Sequence, residues 1–264
     1  MRTRFFVLGV GLGLATAAHA QPIGWWKFDE TSGGTAFASA GGIDGALNGD
    51  ATFVTGVSGN AMRVTTAGSG YVNFGNNFAL MGTSYTLSFW LNSTSTATDQ
   101  IVVGKHRATS VSGYFVGMNQ NGPYGATNRA WAYQGSTPGN QPISTTVVND
   151  GAWHHVAVAY NVGTGAHSIY VDGGLAEDTR SAVGMSSASA PFMVGGIFTA
   201  SGNPLATYNG MVDDLQIYGS RLSDQDINFL FSNPGQAVPE PMTLVGLGIA
   251  GLVLRRKLPR KATN

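Results

Sequence analysis

Alternation of apolar and polar residues dominates the chain between about Ile23 and Pro234. In Tyr85–Leu91 every second residue is large and apolar, and Trp153–Tyr160 repeats the pattern. A period of two places successive side chains on opposite faces of a β-strand. The middle of the chain is therefore predicted to be one β-rich domain.

Further strands and a single helix complete this prediction. Asp172 and Gly173 favour a hairpin turn, since both central positions of that turn need a positive φ. A helix is predicted over Asp224–Phe231, because Ser223 can cap it and Asp226 completes a capping box. The other predicted strands are Ala166–Val171, Phe192–Ile197 and Val212–Tyr218.

The last of these strands contains a conflict of parity. Val212 has an even number in the sequence, whereas Leu215 and Ile217 have odd numbers. Alternate residues of a strand face opposite sides, so the three cannot share one face of a regular strand. A β-bulge at Asp213 and Asp214 resolves the conflict, because a bulge inserts one residue and re-aims the side chains beside it.

Composition and charge exclude several classes of partner. Gly accounts for 38 of the 264 residues, which favours short strands joined by tight turns, and the absence of Cys excludes disulfides and thiolate metal sites. Residues 21–237 contain 7 Lys and Arg against 13 Asp and Glu, a net charge of −6. Such an acidic domain is not expected to bind nucleic acid or anionic lipid.

The first twenty residues have the three regions of a secretory signal. Arg2 and Arg4 precede the apolar run Phe5–Ala15, and small residues lead up to Ala20. We expect residues 1–20 to be a signal peptide cleaved after Ala20. A buried N-terminal helix is the alternative.

Pro239, Glu240 and Pro241 precede the apolar run Met242–Leu254, and three basic residues follow that run. With these features, residues 235–264 resemble a PEP-CTERM sorting signal of exported Gram-negative proteins. The resemblance implies that the precursor is held transiently in the inner membrane until an exosortase recognises the Pro-Glu-Pro motif and removes the tail. The product would lie in the cell envelope, at the surface or in the extracellular matrix. A permanent C-terminal anchor is the alternative.

Six short motifs lie in order along residues 21–234. They are residues 24–30, 44–47, 85–90, 153–157, 169–173 and 212–218. In this order they resemble the landmarks of a laminin G-like domain of the concanavalin A-like superfamily. The resemblance implies an all-β, antiparallel two-sheet jelly-roll sandwich that binds a carbohydrate or protein ligand and often holds calcium at its edge.

Asp29, Asp213 and Asp214 are the candidate calcium ligands. The resemblance suggests that the first and last strands are neighbours, which would bring Asp29 to the two carboxylates of the bulge. Calcium takes 6 to 8 oxygen ligands. The alternative is that Asp213 accepts hydrogen bonds from loop amides and binds no metal.

Aromatic residues give a candidate ligand site. Trp131 and Tyr133 share a parity and could stack on a sugar ring, together with Tyr124 in the preceding loop, although such residues are also common in cores. His154 and His155 adjoin, so they face opposite sides of a strand and cannot bind one ion. The resemblance makes both histidines framework residues.

Catalysis is not expected. A glycosidase needs two closely placed carboxylic acids, whereas Glu30, Glu177 and Glu240 each lack a second acid two residues away on the same strand. The sequence therefore favours a binding module that is not an enzyme. A structural matrix component without a discrete ligand, and a glycosidase that uses Glu30 or Glu177, are the alternatives.

Overall fold

Two antiparallel sheets pack around a common core in the computed structural model of the chain. The structure describes residues 21–108, 113–120, 125–135, 140–182 and 189–239. Within them the strands are β1 Pro22–Trp26, β2 Thr35–Ala36, β3 Ala40–Gly41, β4 Gly45–Asn48, β5 Thr52–Thr55, β6 Asn60–Val64, β7 Tyr71–Asn73, β8 Tyr85–Asn92, β9 Gln100–His106, β10 Gly113–Met118, β11 Arg129–Gln134, β12 Ile143–Val147, β13 His154–Tyr160, β14 Ala166–Val171, β15 Asp178–Ser181, β16 Phe192–Val194, β17 Gly196–Phe198, β18 Pro204–Ala206 and β19 Gly210–Tyr218.

The first sheet has nine strands and the second has eight. In the first, the order β15-β14-β13-β8-β19-β1-β3 is completed by the hairpin β5-β6, which pairs with β19. In the second, the order is β12-β11-β10-β9-β16-β7-β4-β2, and β17 and β18 form a separate ribbon. This arrangement confirms the predicted all-β antiparallel sandwich and is consistent with a jelly roll.

Alternate residues of both sheets fill the space between them. Leu87 and Phe89 of β8 and Val156 and Val158 of β13 enter the main core, and all four are at most 1% exposed. Trp26 is fully buried there too. The period-two alternation seen in the sequence is therefore the boundary between the core and the outer faces.

Strand β19 changes its neighbour halfway along. Its first residues pair with β6, so that Val212 lies opposite Met62, and its later residues pair with β1. The register against β8 shifts between Asp213 and Gln216, and Asp214 has a φ of 47°. The predicted bulge is thus confirmed at the point where the neighbouring strand changes.

The helix α1, Asp224–Ser232, begins and ends close to its predicted bounds. Ser223 and Asp226 form the predicted capping box, in which each side chain accepts a hydrogen bond from the other residue's backbone. Ile227 and Leu230 of the helix pack on Tyr170, whose side chain lies on the outer face of the nine-stranded sheet. The helix therefore covers a face that the sandwich core leaves open.

One predicted strand is divided. Phe192–Ile197 forms parts of β16 and β17, which are separated at Gly195, a residue with a φ of 89°. A positive φ suits glycine and interrupts regular strand geometry.

The terminal predictions concern segments beyond the described core. Ala20, Glu240, Pro241 and the apolar run Met242–Leu254 lie outside the described residues, while Pro239 is the last described residue and is exposed. Across the described ranges, no helix combines the length and apolar character of a membrane span.

Candidate functional site

A second apolar cluster lies on the outer face of the eight-stranded sheet. Phe115, Trp131 and Tyr133 belong to it, whereas Tyr114 and Ala132, of opposite parity, enter the main core. The Phe115 and Tyr133 rings are stacked with centroids 4.9 Å apart and planes at 12°, and Trp131 meets Phe115 edge-on at 4.9 Å. The cluster is a largely buried aromatic group that is separate from the sandwich core.

The rings of this cluster differ in their access to solvent. Trp131 is 5% exposed and its Nε1 has no hydrogen-bond partner, whereas Tyr133 is only partly buried. Burial raises the pKa of the Tyr133 hydroxyl, which keeps it protonated at neutral pH. Tyr133 is therefore the ring of the predicted pair that a ligand can reach.

A polar cleft of 340 Å³ adjoins the aromatic cluster. Ile143 belongs to both, because it packs against the cluster and lines the cleft. Asp178 accepts hydrogen bonds from the Arg180 Nε at 2.9 Å and from the Ile143 amide at 3.1 Å. The remaining lining residues are Gly125, Arg129, Ser144, Thr145 and Glu177.

The predicted sugar-binding residues are thus brought together in part. Trp131 and Tyr133 lie in one cluster, but Tyr124 lies outside the described residues. Phe115 and Arg129 were missed by the sequence analysis. The alternation in Gly113–Met118 was the available signal for Phe115, whereas no local pattern marks Arg129.

Asp213 and Asp29 contact the same hairpin, the one formed by β5 and β6. The Oδ2 of Asp213 accepts hydrogen bonds from the Val57 amide at 2.8 Å and from the Ser58 amide at 3.1 Å. The Oδ1 of Asp29 accepts one from the Asn60 amide at 3.0 Å. These contacts join Asp29, which follows β1, and Asp213 of β19 to the β5–β6 hairpin.

The two carboxylate oxygens of Asp213 have different surroundings. Its Oδ1 is buried and has no hydrogen-bond partner, and burial raises the pKa of the carboxyl to about 7. An unpartnered buried carboxylate oxygen is costly unless a proton, water or cation compensates it.

Asp214 does not join the other two carboxylates. Its Oδ1 accepts hydrogen bonds from Trp25 Nε1 at 2.6 Å and from Gln216 Nε2 at 3.0 Å, and its Oδ2 accepts one from the Gly235 amide at 2.8 Å. The bulge sends the two aspartates to different neighbours. The expected set of three carboxylates is therefore not assembled, and the part of the chain that is described contains no group of three His, Asp or Glu residues able to hold a metal ion.

The two adjacent histidines have separate surroundings, as expected. His154 contacts Asp172 at 2.8 Å and Asp150 at 3.1 Å. His155 is 1% exposed and its Nε2 lies 2.8 Å from the Ser88 hydroxyl. The Ser88–His155 pair is therefore closed to solvent, whereas His154 lies between two aspartates.

Sequence comparison assigns the family to which this sandwich belongs. The fold is a two-sheet antiparallel sandwich, and the Laminin_G_3 model of the concanavalin A-like lectin/glucanases superfamily matches residues 66–228. The chain belongs to this family. No curated protein sequence matches it.

Solved structures share the fold at low sequence identity. Domain 4 of AbnA, an extracellular GH43 arabinanase from Geobacillus stearothermophilus solved with arabinotriose, has a TM-score of 0.60 and 17% identity, over 80% of this chain and 98% of that domain. The binding domain of botulinum neurotoxin DC, solved with rat synaptotagmin II, has a TM-score of 0.57 and 15% identity, over 80% of this chain and 51% of its own. The binding domain of Paraclostridial Mosquitocidal Protein 1 has a TM-score of 0.54 and 13% identity, over 71% of this chain and 47% of that domain. This chain thus spans about half of each toxin binding domain.

Proposed function

We propose that this protein is a non-catalytic carbohydrate-binding module that works outside the cell. The observation that carries the proposal is the aromatic cluster around Tyr133 beside a cleft lined by charged and hydroxyl side chains. Sugar rings offer both an apolar face and hydroxyl groups, so a ring and a set of polar groups side by side suit them. The arabinotriose bound to the similar AbnA domain supports a saccharide as the ligand.

The charges of the cleft favour a neutral sugar. Arg129 and Arg180 are balanced by Glu177 and Asp178, so the lining has no net charge. Guanidinium groups donate hydrogen bonds to sugar hydroxyls and carboxylates accept them. A protein ligand remains the second type of partner, since the similar neurotoxin domain was solved with synaptotagmin.

The absence of catalysis belongs to the proposal. Glu177 accepts hydrogen bonds from the amides of Thr145 at 2.6 Å and Thr146 at 3.1 Å, and Glu30 accepts one from the Phe37 amide at 2.6 Å. Carboxylates engaged by backbone amides serve the fold, and these contacts favour binding over hydrolysis. A screen of polysaccharides for new reducing ends should detect no turnover, whereas turnover abolished by Glu177→Gln would contradict the proposal.

We also propose that calcium binds where Asp213 meets the β5–β6 turn. The buried and unpartnered Oδ1 of Asp213 fits a hard cation, and Asp29 contacts the same hairpin. Calcium would supply the positive charge that this oxygen lacks. The melting temperature should be higher in calcium than in EDTA. This increase should vanish in Asp213→Asn but persist in Asp178→Asn. An equal increase in both variants would contradict this site.

Export is proposed from the two terminal patterns. A signal peptide over residues 1–20 and an exosortase motif at Pro239, Glu240 and Pro241 predict a mature protein that lacks both ends. Intact mass spectrometry of cell and culture fractions measures both cleavages together. The full-length mass in the cytosol would refute export.

A glycan array tests the binding proposal with a set of matched variants. The purified protein should bind at least one neutral polysaccharide, and Tyr133→Ala should weaken this binding by about tenfold or more, because stacking and area are lost together. Tyr133→Phe keeps the ring and should bind. Val162→Ser, at an exposed site in the β13–β14 turn, is the control. Binding to nothing on the array, or undiminished binding by Tyr133→Ala, would refute the proposal.

A further inference from the structure

Basic side chains without a protein partner mark two places on this acidic domain. Five of the seven lysines and arginines between residues 21 and 237 have a close contact, whereas the side chains of Arg63 and Arg129 make no hydrogen bond or ion pair with another described residue. The five contacts join Lys27 to the ring of Trp25, Lys105 to Asn76, Arg107 to the Ser189 carbonyl, Arg180 to Asp178 and Arg221 to the Tyr170 hydroxyl.

Each unpartnered arginine lines a cleft. Arg129 lines the cleft beside Tyr133, and Arg63 lines a different cleft of 260 Å³ on the nine-stranded sheet. The second cleft lies where β6 and β8 end and β19 begins. Arg63, Met211 and Asn92 stand side by side across these three strands, because Met211 is the register partner of both neighbours.

The two clefts differ in charge. The four charged residues of the Arg129 cleft cancel, whereas Arg63 is the one charged residue among those that line the second cleft. Asp50 lies behind Thr65 and accepts hydrogen bonds from its amide and hydroxyl. The lining of the second cleft therefore carries a single positive charge.

Hydrogen-bonding groups surround this charge. Asn92 uses its Nδ2 to donate to the Gly151 carbonyl at 2.8 Å, which leaves its Oδ1 as an acceptor. Thr94 adds a hydroxyl to the lining. The volume lies just below the lower end of ordinary ligand sites, about 300 Å³, and suits one sugar ring rather than a longer oligosaccharide.

We infer that the Arg63 cleft binds the carboxylate of an acidic sugar, a uronic acid residue within a polysaccharide. A guanidinium pairs with a carboxylate through two parallel N–H···O bonds, and the neighbouring amide and hydroxyl suit the hydroxyl groups of the ring. One guanidinium matches one carboxylate, so a single uronic acid ring suits the single positive charge of the lining. This site is separate from the neutral-sugar site at Tyr133 and does not depend on it.

Polygalacturonate and its fully methyl-esterified form are the probes, because they share a backbone and differ in charge. The purified protein should bind polygalacturonate and lose about tenfold or more in affinity for the ester. Arg63→Gln should lose as much affinity for polygalacturonate, and Arg63→Lys should lose less, since it keeps the charge without the planar fork. Arg221→Gln is the matched control, because Arg221 is exposed and lines neither cleft, and it should bind polygalacturonate as the wild type does.

Each further outcome bears on the inference. Equal binding of the acid and the ester, or unchanged binding by Arg63→Gln with an unchanged melting temperature, would overturn it. Displacement by inorganic phosphate as effective as displacement by free galacturonate would reveal a simple anion site and overturn the assignment to a sugar. Loss of neutral-glycan binding in Tyr133→Ala with polygalacturonate binding retained would support two independent sites.

Discussion

Two buried histidines should make the domain sensitive to acid. His155 and His167 are each 1% exposed, and burial lowers the pKa of His155 to about 4 and that of His167 to about 3. The unfolded chain has a histidine pKa of about 6.5 and binds these protons first, so the stability that neutral histidines preserve above 6.5 is lost as the pH falls below it.

The size of the effect at about pH 5 depends mainly on the unfolded state. At pH 5, about 1.5 pH units below the histidine pKa of the unfolded chain, each histidine that stays neutral in the folded state lowers the free energy of unfolding by about 2 kcal/mol. Each unit corresponds to about 1.36 kcal/mol. His155 and His167 together should therefore remove about 4 kcal/mol between pH 8 and pH 5. Asp213 acts in the opposite direction, since its raised pKa makes the folded state bind the extra proton.

Comparison of variants isolates the histidines from Asp213. His167 contacts the rings of Tyr85 and Tyr160 edge-on, and His167→Phe keeps an aromatic ring there while removing the titratable group. Urea unfolding followed by tryptophan fluorescence at pH 8 and pH 5, in EDTA, gives the two free energies of unfolding. The variant should lose about 2 kcal/mol less than the wild type across this interval, whatever its stability at pH 8.

A packing control separates titration from general destabilisation. Ile169 lies on the same strand as His167 and is fully buried, so Ile169→Val should cost about 1 kcal/mol at both pH values. Its pH dependence should match that of the wild type. If His167→Phe loses as much stability as the wild type between pH 8 and pH 5, the reasoning about buried neutral histidines is wrong.

Other contacts give predictions of their own. Asp214→Ala should free the segment at Gly235, whose amide donates a hydrogen bond to Asp214. Hydrogen exchange at the Gly235 amide should therefore accelerate, while the exchange rates of the β8 amides should stay unchanged. Ser223→Ala should cost about 1 kcal/mol in urea unfolding by removing the N-cap, whereas Ser223→Asp should restore it. Gly59→Ala should lower the melting temperature, because Gly59 has a φ of 72° and an added Cβ would lie 1.9 Å from the Asp29 Oδ1; an unchanged melting temperature would show that the turn can move.

The sequence contained most of the fold because its signals were local. Alternation in Tyr85–Leu91 and Trp153–Tyr160 identified two central strands, and the capping box at Ser223 identified the helix. The parity conflict around Asp213 located the bulge without any structure. The break at Gly195 was overlooked, although glycine inside an apparent strand was the available sign, and strands such as β9 and β10 were not predicted individually.

The clefts could not be predicted in the same way. Arg63, Asn92 and Met211 are far apart along the chain, and they become neighbours only through the register of three strands. Likewise, nothing local separates Asp213 from Asp214, because the bulge decides which carboxylate meets the β5–β6 turn. Long-range register, rather than propensity, determines the site.

The same bulge links the calcium proposal to the acidic-sugar cleft. Asp213 accepts hydrogen bonds from the turn that leads into β6, and β6 carries Arg63 into its cleft. A cation at Asp213 would compensate its buried charge and hold the β5–β6 hairpin against β19. We therefore expect calcium to strengthen polygalacturonate binding and to leave neutral-glycan binding at Tyr133 unchanged, because that cluster lies on the other sheet. Equal effects of calcium on both ligands would show that the ion acts on the whole domain rather than through this hairpin.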